Sequence, residues 1–108
     1  LMSSAAGGVV THIFEGRDAE SLKKLAHALI AHPQTIVLLG SRDEETARLV
    51  FARSADASGD MNALMREACS ILDGRGGGRP DMAQGGGKNV ARLEDAINRA
   101  LTLLNRAS

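Results

Sequence analysis

Apolar and polar positions recur along this chain with enough regularity to divide it into elements before composition is considered. Val9 to Phe14 reads Val-Val-Thr-His-Ile-Phe, a β-rich run closed by Glu15-Gly16, and predicts a strand. Asp18 is placed to cap a helix in which Leu22, Leu25, Ala26, Leu29 and Ile30 recur at helical spacing and form one apolar stripe. His32-Pro33 stops it, because the residue before proline avoids the helical region. Ile36 to Leu39 is apolar on both faces, as expected of a central strand covered on two sides. A strand, a helix and a second strand in that order imply a right-handed crossover joining parallel strands.

Gly40 to Glu45 then reads as a polar turn, and Thr46 to Arg53 as a third strand with Leu49 and Phe51 on one face. The short connection predicts an antiparallel hairpin. Ser54 to Gly59 is loop. Asp60 caps a second helix with Met61, Leu64, Met65, Ala68, Ile71 and Leu72 on one stripe, and Gly74 is expected to end it. Asn89 is expected to cap a third helix, its inward face made by Leu93, Ile97, Ala100, Leu101 and Leu104. Between these last two helices, Asp81 to Gln84 offers at most a short fourth strand. The fold class is therefore α/β (α+β), a small mixed sheet of three to four strands packed by three helices as a two- or three-layer sandwich.

The segment from Gly74 to Lys88 departs from all of this periodicity. It holds seven of the chain's twelve glycines, including the triplets Gly76-Gly77-Gly78 and Gly85-Gly86-Gly87, around the hexapeptide Arg79 to Gln84. Glycine loses the most backbone freedom on folding, so such a run costs stability unless the backbone needs positive φ or a close approach. Four cations, Arg75, Arg79, Lys88 and Arg92, against Asp81 leave this neighbourhood at +3 on a chain of zero formal charge. Lys88-Asn89 leads into a helix N-terminus, where free N–H groups and the dipole favour an anion. Arg79 could grip a phosphate through two hydrogen bonds. The same residues also admit a packing role for the glycines, with solvated basic neighbours.

The stretch Gly-Gly-Gly-Arg-Pro-Asp-Met-Ala-Gln, followed by Gly-Gly-Gly-Lys, resembles the signature near the C-terminus of alanyl-tRNA synthetases, in the module called the DHH-associated domain. Weaker similarity in the order of elements extends from about Val9 to Leu104. The resemblance implies a single such domain over residues 9–106; residues 1–8, small and polar, read as a linker or an end cut from a longer protein. It implies an accessory module that binds tRNA, expected to be tRNA-Ala, and with the local charge it makes Arg75, Gly76, Gly77, Gly78, Arg79, Asp81, Gln84, Gly85, Gly86, Gly87, Lys88 and Arg92 the candidate contacts. Arg79 and Lys88 would meet phosphate, Asp81 and Gln84 would order the loop, and the glycines would admit the RNA backbone. ATP and zinc would belong to the parent, with no cofactor and no catalytic residue in this segment. The rest of the parent chain and a homodimer are further implied partners. A structural or dimerising module, or the substrate-binding half of a DHH-type phosphoesterase, are the alternatives, although phosphoesterases of that type usually carry histidine in place of Arg79-Pro80. An alanyl-tRNA synthetase and a stand-alone alanyl-tRNA editing protein both remain open as parent.

Composition narrows the field. With 13 basic and 13 acidic residues in 108, no global basic surface draws nucleic acid, so any such site is local. The two aromatics, Phe14 and Phe51, are too few to form base-stacking platforms. Cys69 is the only cysteine, which excludes an internal disulfide and suits a reducing cytoplasm. No apolar run approaches the about 20 residues a membrane span needs, and no basic-then-apolar leader is visible.

Familiar motifs fail on inspection. The P-loop pattern needs glycine at Met82 and a hydroxyl residue at Asn89, and the dinucleotide fingerprint needs glycine at Arg79. His27 and His32, five residues apart on a helix, point about 140° away from each other. Neither a His-x-x-x-His nor a Cys-x-x-x-His element of a synthetase editing site occurs. Cys69 reads as a small core residue, and Asp43-Glu44-Glu45 as a solvated turn.

Overall fold

The computed structural model describes residues 8–57 and 59–107. The expected linker over residues 1–7 lies outside them, and Gly8 already belongs to the first strand. Five strands form one sheet: β1 (Gly8–Glu15), β2 (Thr35–Arg42), β3 (Ala47–Arg53), β4 (Gly74–Arg79) and β5 (Met82–Gly87), in the order β1-β2-β3-β5-β4. β1 and β2 are parallel, and the other neighbours are antiparallel. Three helices pack on it, α1 (Ala19–Ile30), α2 (Met61–Ile71) and α3 (Leu93–Ala107). The α/β class stands, with one strand more than the sequence suggests.

The helix boundaries follow local chemistry. Asp18 accepts from the Ser21 N–H at 2.8 Å, and Asp60 from Asn62 and Ala63 at 3.0 and 3.3 Å, so both aspartates cap as expected. Two expected ends differ. Asp73, with φ 59°, takes the left-handed position after α2, and Gly74 instead opens β4. Asn89 precedes a single 3-10 turn (Val90–Arg92) and makes no side-chain cap bond; α3 starts only at Leu93.

The two faces of the sheet are unequally covered. On one, α2 and α3 bury Leu38, Leu49, Phe51, Met65, Leu93 and Ile97 together with Cys69 and Ala83. On the other, α1 alone lies over β2 and β3, where Leu22 and Ala26 meet Val37, Leu39, Val50 and Ala52. Burying a side chain of the Leu, Val or Phe kind contributes about 1.5–3 kcal/mol, so β2 and β3, apolar on both faces, anchor the molecule. A single helix cannot span five strands spaced about 4.8 Å apart. The α1 side of β4, and of β5 beyond Met82, which packs under α1, is accordingly left open.

A candidate nucleic-acid interface on the β4–β5 hairpin

The glycine-rich segment is a β-hairpin, and the triplets are strand rather than loop. Gly74 pairs with Gly87, Gly76 with Gly85 and Arg79 with Met82, which leaves only Pro80-Asp81 at the turn. Its backbone is tied to the body: Met61 N–H donates to the Pro80 carbonyl and Arg53 N–H to the Asp81 carbonyl, both at 2.9 Å. Asp81 thus orders the turn through its main chain. Its carboxylate lies 3.6 Å from the Arg79 guanidinium, an exposed pairing of small worth. The Gly78 N–H at the sheet edge donates to Asn62 Oδ1 at 3.0 Å, a contact from α2 that nothing in the sequence pattern nominates.

Glycine is required here first by packing. Side chains at Gly76 and Gly85 would point at α2, with Cβ atoms 2.7 and 2.6 Å from Cys69 Sγ. Gly74, Gly86 and Gly87 would drive a Cβ into the carbonyl oxygens of Gly86, Ala47 and Leu72 respectively. Gly77 alone meets a single neighbour, Asn62 Oδ1 at 3.0 Å. Cys69 is the buried wedge against which the hairpin closes, and burial pushes its thiol pKa up, against a lowering contact from the Gly86 backbone.

Side chains alternate along a strand, so the orientation of Gly76 and Gly85 towards Cys69 puts Arg75 and Arg79 of β4, and Gln84 of β5, on the opposite, open side. All three are exposed. Lys23 of α1 joins Arg79, Gln84, Gly77 and Met82 around a recess of about 210 Å³. Arg79 also lines a second recess of about 430 Å³ with Arg53, Pro80 and Asp81.

Lys88 and Arg92 stand apart from Arg79, Gln84 and Lys23, although Lys88 lies only two residues beyond Gly86, the partner of Arg75. Lys88 follows Gly87 at the far end of β5, about 20 Å from Arg79 at strand rise. Three of the N–H groups expected to hold an anion there are already engaged: Asn89 donates to the Leu72 carbonyl, Val90 to that of Lys88 and Arg92 to that of Asn89. Arg92 Nε is bound to Asp95 Oδ2 at 2.6 Å, and Glu94 and Asp95 occupy the first turn of α3. The recess at that end, about 680 Å³, is lined by Glu15, Asp43 and Glu44 against Arg42. An anion is disfavoured beside three carboxylates.

The remaining candidates have structural settings. Asp43 accepts from the Glu45 and Thr46 N–H groups and from Arg48, and these bonds hold its carboxyl below the usual range. Asp56 is likewise lowered, by the Ser54 hydroxyl and the Gln34 N–H. The His12 and Phe14 rings meet at a tilt of 57° with centroids 4.4 Å apart, and the Arg17 guanidinium lies over the Phe14 ring at 4.5 Å. Among the described residues no group of three or more His, Cys, Asp and Glu could hold a metal ion, and no helix is long and apolar enough to cross a membrane.

Known proteins share this arrangement. The family model described as "DHHA1 domain" matches residues 6–106. The alanine–tRNA ligase of Leptospira interrogans is 42% identical over 100 residues, covering 89% of this chain and 10% of the ligase. That of Pseudomonas entomophila is 42% identical over 88 residues, covering 77% and 10%. Among solved structures, the C-Ala domain from Aquifex aeolicus alanyl-tRNA synthetase matches with a TM-score of 0.79 and 29% identity, covering 91% of this chain and 93% of that one. The chain spans about a tenth of the length of the curated relatives it matches.

Proposed function

The chain belongs to the DHHA1 domain family, and from that membership we propose that it serves as the accessory tRNA-binding module of an alanyl-tRNA synthetase parent, gripping RNA phosphates with the open face of the β4–β5 hairpin. The observation that carries the reading is the pair Arg75 and Arg79, exposed on one uncovered sheet face beside Gln84 and Lys23. Guanidinium groups bind phosphate through paired hydrogen bonds, and such backbone contacts position a nucleic acid without reading its bases. Activation of alanine with ATP, any zinc site and the acceptor specificity for tRNA-Ala belong to the rest of the parent chain on this reading.

Arg92 is left outside the proposed grip by its place on the turn before α3, next to Glu94 and Asp95. The test is binding of a labelled tRNA transcript to the 108-residue chain at low salt. Arg75→Ala with Arg79→Ala is expected to weaken it several-fold and to flatten its salt dependence, whereas Arg92→Ala leaves both unchanged. Absence of any tRNA binding by the unmodified chain at low salt sinks the reading.

One observation favours a second reading, self-association. β1 is an edge strand whose Val9 and Val10 are 40% and 37% exposed, and unpaired edges template pairing with another chain. A mass that rises with concentration and falls on Val10→Lys supports it; a constant monomer mass excludes it.

A further inference from the structure

Resting on the tRNA-binding reading, we infer that the RNA site extends beyond the glycine-rich hairpin, with Arg48 of β3 and Lys23 of α1 as phosphate-contacting residues on the same open face. The strand register carries the inference. Arg48 pairs with Gly86, and Gly86 pairs with Arg75, so two arginines flank a glycine on three adjacent strands. Leu49 and Phe51 face α2 and α3, which turns Arg48 to the α1 side with Arg75. Two strand spacings separate the arginine backbones by about 10 Å. Between them Gly86 carries no side chain, and the gap is wide enough for a phosphate that both guanidiniums can reach.

Solvent access and charge agree with that placement. α1 buries Val50 and Ala52 on β3 but leaves the Arg48 side chain 32% exposed and its own Lys23 at 36%. Cations thus stand on one face from three elements, Arg48 of β3 level with Arg75 of β4 at the Gly86 end and Lys23 of α1 with Arg79 of β4 at the Met82 end. The carboxylates nearby leave donors free. Asp43 takes one Arg48 nitrogen at 2.9 Å and is itself pinned by two backbone N–H groups, so it holds the guanidinium in place while the other N–H groups stay available. Glu20 lies 3.9 Å from Lys23, a loose exposed contact. Cations spaced over several rows of an open surface, rather than gathered in an enclosed pocket, complement a chain of phosphates, which is why RNA backbone is the occupant.

The experiment measures binding of the tRNA transcript to the 108-residue chain between 50 and 200 mM salt. Arg48→Ala and Lys23→Ala are each expected to weaken binding and to reduce the slope of log K against log salt by about 0.7–0.9, as Arg75→Ala does. Arg99→Ala, which removes a cation paired with Glu67 on the α2–α3 side, leaves the slope unchanged. Amide shifts at residues 47–49 of the unmodified chain on adding tRNA give a readout independent of any variant's folding. Wild-type affinity and slope in Arg48→Ala and Lys23→Ala, with Arg75→Ala weakened and no shifts on β3, overturn the extension and leave the hairpin reading standing. No salt-dependent binding by the unmodified chain overturns both.

Discussion

A methyl group added at Gly85 would stand 2.6 Å from both Cys69 Sγ and Gly76 Cα, closer than packed atoms tolerate. At Gly76 the neighbours are Cys69 Sγ at 2.7 Å and the Gly85 Cα at 2.8 Å. Overpacking of this kind costs about 1–3 kcal/mol, so Gly85→Ala and Gly76→Ala should each lower the urea midpoint at unchanged slope. Because the thiol is one of the clashing atoms, Gly85→Ala combined with Cys69→Ala should lose less than the sum of the two changes. Gly77→Ala, which meets only Asn62 Oδ1, should cost least of the three. Equal losses at all three positions would mean that the close approach of α2 is not what selects glycine.

At the scale of elements, the contrast between the first three strands and the last two explains what the sequence reveals. β1, β2 and β3 are marked by β-branched and apolar residues, and the helices by stripes at 3.6-residue spacing, so their existence and order can be read without coordinates. Gly-Arg-Gly-Gly-Gly-Arg and Met-Ala-Gln-Gly-Gly-Gly carry neither alternation nor β propensity. Their strand conformation is imposed by pairing with β3 and by α2 above them, which no local pattern encodes. For the same reason Arg75 and Arg79 are visible as candidates in the sequence and Arg48 is not: only the β3–β5–β4 pairing brings it level with Arg75. The β2–β3 turn has a local code of its own in Asp43. Its carboxyl is held below the ordinary 3.8 by the Glu45 and Thr46 N–H groups and Arg48, so the fold favours the ionised form. That stability is present above the unfolded value and is lost as pH falls through the lower folded value. Asp43→Asn should therefore be less stable than the unmodified chain at neutral pH, with the gap in urea midpoint closing below about pH 4. A gap that stays constant down to pH 2 would show that the carboxylate charge is not what the turn uses.

For the whole molecule, a formal charge of zero hides a partial segregation: Lys23, Arg75 and Arg79 stand on the α1 side of the sheet, Glu15, Asp43 and Glu44 line its end beside Val90, and Arg48, paired with Asp43, sits between the two. On the proposed reading, four phosphate contacts, from Lys23, Arg48, Arg75 and Arg79, would give a salt slope between about −2.8 and −3.6, shallow beside dedicated nucleic-acid binders. Such a grip is weak alone and effective when tethered, because a short flexible linkage supplies a local concentration of about millimolar order. The curated relatives are about ten times longer than the matched segment, which is the setting in which tethering operates. On the proposed reading, Arg75→Ala with Arg79→Ala in the intact parent raises the KM for tRNA. Alanine activation by ATP, which needs no tRNA, is left unchanged, because these side chains meet RNA and not the reacting groups. Raising salt in the same assay should shrink the difference between variant and parent, since it screens the contacts that the variant already lacks. A variant whose KM for tRNA matches the parent's at low salt, in a chain that still folds, would remove the hairpin face from RNA binding and leave its glycines to packing alone.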